Sequence, residues 1–165
     1  MHINQSPRLY TIGVYGYDPD GFFAALQDAQ IDLFCDIRGR RGLRGATYAF
    51  ANSRRLQTRL AELDIRYVHR PDLAPSRALR TRQAEADRAG GIAKRQRTTL
   101  GTVFVEGYMV DVLAHLDSRT LLSELGPAQR IVFFCVEREP AACHRSLLTA
   151  KLAQDLQLDV LHLWP

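Results

Sequence analysis

The sequence predicts an α/β domain of three layers: a mostly parallel sheet of about five strands with helices on both faces. Two observations carry this. Short apolar runs alternate along the chain with stretches of helical periodicity, and strands separated by helices pair in parallel through right-handed crossovers. The run Ile131-Val132-Phe133-Phe134-Cys135-Val136 shows no polar alternation, as befits a central strand covered on both faces.

With 165 residues the chain reads as one domain, residues 1–165, large enough to bury a core. No apolar run approaches the roughly 20 residues of a membrane span, and Met1 to Arg8 has no signal-peptide core. No membrane association and a cytoplasmic location are therefore expected. Three cysteines, an odd number, argue for free thiols or ligands over a disulfide framework.

The charge is unevenly distributed. Between Arg38 and Arg97 there are 16 basic and five acidic residues, against six basic and 13 acidic in the rest of the chain. Such a concentration suits a phosphate-rich partner, a nucleotide or nucleic acid. It is equally compatible with a solvated surface.

Leu9 to Gly13 reads as the first strand. Asp18-Pro19 then supplies a helix N-cap followed by proline at the first helical position, and Phe22, Phe23, Leu26 and Ala29 share one helical face. Ile31 to Ile37 is the second strand, leading into Asp36-Ile37-Arg38. The loop 39–52 carries Arg40, Arg41, Arg44, three glycines, Tyr48 and Phe50. Glycines allow close backbone approach, arginines offer forked donors, and aromatics offer stacking surfaces. The same composition also describes a mobile surface loop.

Ser53 is placed to cap a helix bearing Leu56, Leu60 and Leu63. Ile65 to His69 is the third strand. Residues 70–101 form an Arg-rich insertion with Pro71, Pro75 and Gly90-Gly91: a lid, a binding loop or a disordered segment. Within it a short helix around Thr81 to Arg88 lacks an apolar stripe. Val105, Tyr108, Met109, Val112 and Leu116 mark an amphipathic helix, and Leu121, Leu122 and Leu125 a second, stopped by Gly126-Pro127. After the central strand, Cys143 opens a helix with Leu147, Leu148, Leu152 and Leu156 on one side, and Val160 to Leu163 closes the sheet.

Reactive residue types crowd the exit of the central strand: Cys135 and Glu137, then Cys143-His144-Arg145. In open α/β sheets, ligands bind outside the carboxyl ends of strands and near helix N-termini, where free N–H groups favour negative charge. This is the predicted site.

The opening Tyr10-Thr11-Ile12-Gly13, the Asp36-Ile37-Arg38 strand end, the Ile65 to His69 strand, the Tyr108-Met109 helix, and above all Cys135-Val136-Glu137 followed by Cys143-His144-Arg145 resemble the domain-of-unknown-function 488 family. The resemblance spans nearly the whole chain. It implies an α/β fold and a small soluble microbial protein, and brings no agreed activity. The family's His-Ser after Thr-Ile-Gly is replaced here by Val14-Tyr15, its Leu-Gly-Gly appears only as Leu73-Ala74, and its proline-rich loop after Asp-x-Arg is rich in Gly and Arg. These departures place the chain in an outlying branch.

Three residues are catalytic candidates. Cys143, at a helix start beside His144 and Arg145, has surroundings that lower a thiol pKa. Neighbouring helical residues point about 100° apart, so Cys143 and His144 need not meet, and a buried structural cysteine reads the same. Glu137 is a general acid, a base or a nucleophile at a sugar carbon, or else the ion-pair partner of Arg38 or Arg145; Asp36 has the same two readings. Arg38, Arg40, Arg41, Arg145, His144, Cys135 and Tyr48 are the candidate ligand-binding residues.

Cys135, Cys143 and His144, with Cys35 or His69 joining, could ligate a metal, but no paired spacing of a structural zinc site is present. No metal and no cofactor are expected. Gly39-x-x-Gly42-x-x-Gly45 lacks the Lys-Ser or Lys-Thr of a triphosphate-binding loop.

Two functions follow as expectations. One is binding of a phosphate-bearing ligand at the strand ends, with Glu137 acting on a base or its N-glycosidic bond. The other is a non-catalytic nucleic-acid-binding module using the Arg-rich middle third. Arginines converging on Glu137 favour the first, and arginines spread over an open face the second. The oligomeric state is open.

Overall fold

The computed structural model describes residues 6–93 and 96–165. Most of the Met1 to Arg8 stretch, and Lys94 and Arg95 of the basic segment, lie outside them. Among the described residues, five strands form one sheet: β1 (Arg8–Ile12), β2 (Leu33–Asp36), β3 (Arg66–His69), β4 (Arg130–Phe134) and β5 (Val160–Leu163). Their order is β3-β2-β4-β1-β5, and every neighbouring pair is parallel. The apolar run is thus the middle strand, as its composition required.

Among the described residues, six α-helices cover the two faces. The helices α1 (Pro19–Asp28) and α2 (Ser53–Glu62) lie on one face, where Phe22, Leu26, Leu56 and Leu60 pack against Ile12, Phe34, Val132 and Phe134. The other face is covered by α3 (Arg77–Ala89), α4 (Thr102–Asp111), α5 (Ser118–Leu125) and α6 (His144–Leu156). Leu79, Tyr108, Leu121, Leu148 and Leu152 there meet Leu9, Leu33, Ile131 and Phe133. Alternate residues of each strand feed opposite cores, which is the period-two rule acting on both faces at once.

One consequence of this topology positions the site. The helix that follows β4 crosses one face, while the helices that follow its neighbours β1 and β2 cross the other. Chain leaving these strands therefore diverges, and a crevice opens at the C-terminal end of β4.

Local signals hold in part. Asp18 caps α1, its side chain accepting from the Gly21 N–H at 2.7 Å, with Pro19 at the first position. Ser53 does not cap α2. It is the first helical residue and accepts from the Gln57 amide at 2.8 Å, and Asn52 holds the cap position. The Asn52 side-chain Oδ1 is turned away to accept from the Leu43 N–H at 2.6 Å, so that side chain fastens the Arg-rich loop instead of capping the helix. A 3₁₀ turn at Ala49–Ala51 shortens that loop further.

The described part of the insertion is built into the domain. Ser76 caps α3, which is longer than the short helix its sequence suggested and buries Leu79, Gln83 and Asp87. That stripe has helical spacing but is two-thirds polar, which is why no apolar periodicity is visible. Gln83 satisfies it by donating to Asp87 at 2.7 Å and accepting from the Gly101 N–H at 3.1 Å.

The face of α4 also differs from its expected one. Phe104 and Tyr108 are buried, while Val103, Met109 and Val110 are exposed. A helix with so many apolar residues has no unique apolar face, and the Tyr108 hydroxyl, donating to the Leu73 carbonyl at 2.7 Å, fixes its rotation.

Candidate functional site

The crevice at the end of β4 is a cleft of about 840 Å³. Its floor is Cys135, Val136 and Glu137 from the β4 exit and Cys143 and His144 from the start of α6; one wall is Arg38, Gly39 and Arg40 after β2, and the other is α3 with Arg77, Arg80 and Gln83. This size suits a small organic ligand, for which sites of about 300–1,000 Å³ are usual.

The β2 exit is fixed by a buried ion pair. Asp36 and Arg38 are 0% and 3% exposed, and the guanidinium grips the carboxylate through Nε at 2.9 Å and Nη2 at 2.8 Å. The Arg38 N–H (3.1 Å) and the Tyr67 hydroxyl (2.7 Å) donate to the same carboxylate, so three groups compensate its burial. Burial, with the adjacent Asp36 charge, pushes the Tyr67 phenol up to about 12, offset in part by Arg41. Arg38 also lies over the Phe134 ring at 4.6 Å, and its Nη1 is buried with no hydrogen-bond partner among the described residues.

The two cysteines and the histidine meet on the floor. His144 Nδ1 lies 3.6 Å from the Cys143 sulfur and 3.8 Å from the Cys135 sulfur, and Nε2 lies 3.2 Å from the Ile37 carbonyl oxygen. A carbonyl only accepts, so Nε2 carries a hydrogen, and Nδ1 is the ring atom that faces both sulfurs. Burial raises the Cys143 thiol, but its bond with Cys135, the His144 imidazole and the Arg145 guanidinium outweigh this and hold it well below the ordinary thiol value. The Cys135 thiol, bonded to Cys143 and equally buried, is pushed well above it.

Glu137 is 5% exposed, and among the described residues it pairs with Arg97, whose Nη2 lies 3.4 Å from Oε1, where the sequence suggested Arg38 or Arg145. The other arm of Arg97 reaches Asp87 of α3 at 3.5 Å. Arg97 therefore clamps the insertion to the β4 exit across the cleft. Arg145 is fully buried and donates through Nη1 and Nη2 to the Glu137 and Arg138 carbonyl oxygens, which sets the path of the chain leaving β4. It does not line the cleft.

Of the predicted site residues, Glu137, Cys143, His144, Cys135, Arg38 and Arg40 line the cleft together. Asp36 is consumed by Arg38 and Tyr67 below it. Arg41 reaches the Tyr67 hydroxyl at 3.5 Å, and Tyr48 accepts from the Gly16 N–H at 3.1 Å while packing on Tyr15, which does line the cleft. Phe50 packs against Phe22 and Phe23. Cys35 is a core residue of the sheet, and His69 Nε2 contacts the Arg38 carbonyl at 2.8 Å, so neither joins the cysteine–histidine group. Arg77, Arg80, Arg88 and Arg97 are cleft arginines that the sequence did not single out. The signal for the first three was a serine cap ahead of an Arg-rich helix.

The model of the family described as "Domain of unknown function DUF488" matches residues 18–152. No curated protein and no solved structure matches the chain. Among the described residues, no helix is long and apolar enough to cross a membrane.

Proposed function

The chain belongs to the DUF488 family, and we propose that it binds a phosphate-bearing ligand of nucleotide size in this cleft and acts on the base or its N-glycosidic bond through Glu137. The observation that carries the reading is convergence: Arg38, Arg40, Arg77, Arg80, Arg88 and Arg97 surround one cleft that has Glu137 in its floor. Forked guanidinium donors suit phosphate oxygens. The unpartnered, buried Nη1 of Arg38 is a donor that a phosphate oxygen would satisfy. Val136, Leu100 and Phe104 give the same cleft an apolar side for a base.

In this reading the Glu137 carboxylate, oriented by Arg97, takes the proton from a water that attacks the sugar carbon as the carbon–nitrogen bond breaks, and that proton is then passed to the nitrogen of the departing base. Arg97 holds the carboxylate in place during that transfer. A basic surface tracking a polynucleotide is less well supported. The exposed Arg54, Arg55 and Arg59 sit on α2, and Arg77, Arg80 and Arg88 on α3, which cover opposite faces of the sheet.

Salt titrations of binding to AMP and to single-stranded DNA test the choice. Saturable AMP binding with little polynucleotide affinity is expected. Polynucleotide binding whose logarithm falls steeply with log salt, without AMP binding, would replace this reading with the nucleic-acid module. With AMP bound, Glu137→Gln should abolish release of the base and leave affinity nearly unchanged.

A further inference from the structure

We propose that Cys135, Cys143 and His144 form a binding site for Zn²⁺, with one coordination position open to the cleft. Their ligand atoms all lie within 4.8 Å of one another. Zinc is held at about 2.3 Å by sulfur and about 2.0–2.1 Å by nitrogen. Those two bond lengths separate N from S by about 3.6 Å at the tetrahedral angle and about 3.8 Å at the trigonal one. The observed Nδ1 to sulfur separations are 3.6 and 3.8 Å. An ion could therefore enter with little rearrangement of either pair.

The surroundings support the same assignment. A histidine that ligates zinc commonly donates its other ring N–H to a carbonyl or carboxylate, which fixes the tautomer and aims the lone pair. The Ile37 carbonyl does this for His144, leaving Nδ1 facing the sulfurs. Cys143 sits at the N-cap of α6 in extended conformation, with its side chain making no cap bond. Two thiolates would neutralise the ion, and two sulfurs with one imidazole favour a thiophilic metal over calcium or magnesium. All three residues border the cleft, so the fourth position faces it, the open arrangement of catalytic zinc sites. The site goes beyond the nucleotide reading and stands if that reading fails.

The test uses the full chain, reduced and stripped with chelator, then titrated with Zn²⁺ and, separately, with Co²⁺. Expected are one equivalent of tightly held Zn²⁺, a thiolate-to-cobalt charge-transfer band, and protection of two cysteines from alkylation. Cys135→Ser, Cys143→Ser and His144→Ala should each cost at least the ~10–100-fold that loss of an outer-shell partner costs. Cys35→Ala should leave affinity unchanged. X-ray absorption of the unmutated Zn²⁺ protein should show two sulfur neighbours and does not depend on whether the variants fold. A shell of nitrogen and oxygen alone, no cobalt–thiolate band, or affinity indifferent to all three substitutions would overturn the site. AMP binding by the stripped protein, measured alongside, reports on the nucleotide reading separately.

Discussion

Asp36 and Arg38, two positions apart on the strand exit, face each other in a bidentate fork with both side chains buried. Removing one member of such a pair strands the other charge out of water, at a cost of about 3–5 kcal/mol. Asp36→Ala is expected to lose that much stability in urea unfolding. The double variant Asp36→Ala/Arg38→Met, which removes both charges, should recover a substantial part. Equal losses in the single and double variants would show that the pair is not what makes Asp36 important.

Gly13 lies where the β1 exit packs directly on the backbone of the β4 exit. A Cβ there would stand 1.8 Å from the Glu137 carbonyl oxygen and 3.0 Å from the Arg145 guanidinium, and backbone cannot give way as a side chain does. Gly13→Ala should therefore destabilise by about 3 kcal/mol, the upper end of overpacking costs. Gly107 is the control. Its Cβ would meet the Leu79 Cδ1 at 2.5 Å, the far end of a flexible side chain, so Gly107→Ala should cost clearly less in the same melt.

His162 ties the edge strand β5 to the domain. Its Nδ1 lies 2.6 Å from the Thr11 hydroxyl, within hydrogen-bond distance. Partial burial of an otherwise exposed ring, then the charge of Arg145, lowers the His162 pKa from the ordinary 6.5. A lowered value means that the folded chain binds the proton less readily than the unfolded chain. Its contribution is complete above about pH 6.5 and is lost as pH falls through the folded value. The melting temperature should thus drop more between pH 7 and pH 5 in the unmutated chain than in His162→Gln. Identical slopes would remove His162 from the pH response.

The fold was legible where one physical signal dominates. The unbroken apolar run of β4 and the Asp18-Pro19 start of α1 each admit a single reading. The meeting of Cys143 with His144 was not legible, for a definite reason. The 100° argument assumes that both residues are helical, whereas Cys143 has φ −136° and ψ 145° and precedes the helix. Its side chain escapes helical spacing. Arg97 was hidden differently: its partner Glu137 lies 40 positions on, beyond the reach of any local pattern. The Gln83–Asp87 stripe was hidden because buried amides and carboxylates imitate a solvent face in sequence.

The placement of arginines on opposite faces of the sheet makes the cleft reading separable from a diffuse basic surface. Arg77 and Arg80 on α3 border the cleft, whereas Arg54 and Arg55 on α2 do not, and all four are exposed. Neither pair is in an ion pair among the described residues, so neutralising them should disturb stability little. A hydrogen bond to a charged group is worth about 1.5–3 kcal/mol, or roughly 10–100-fold in affinity. Arg77→Ala/Arg80→Ala should weaken AMP binding by at least the lower figure in calorimetric titration. Arg54→Ala/Arg55→Ala, which removes the same net charge, should change it by less than about twofold, because exposed charges that do not line the cleft act on it only through solvent and salt. Equal weakening by both pairs would mean that the ligand senses only net charge, and the cleft would lose its claim to the phosphate.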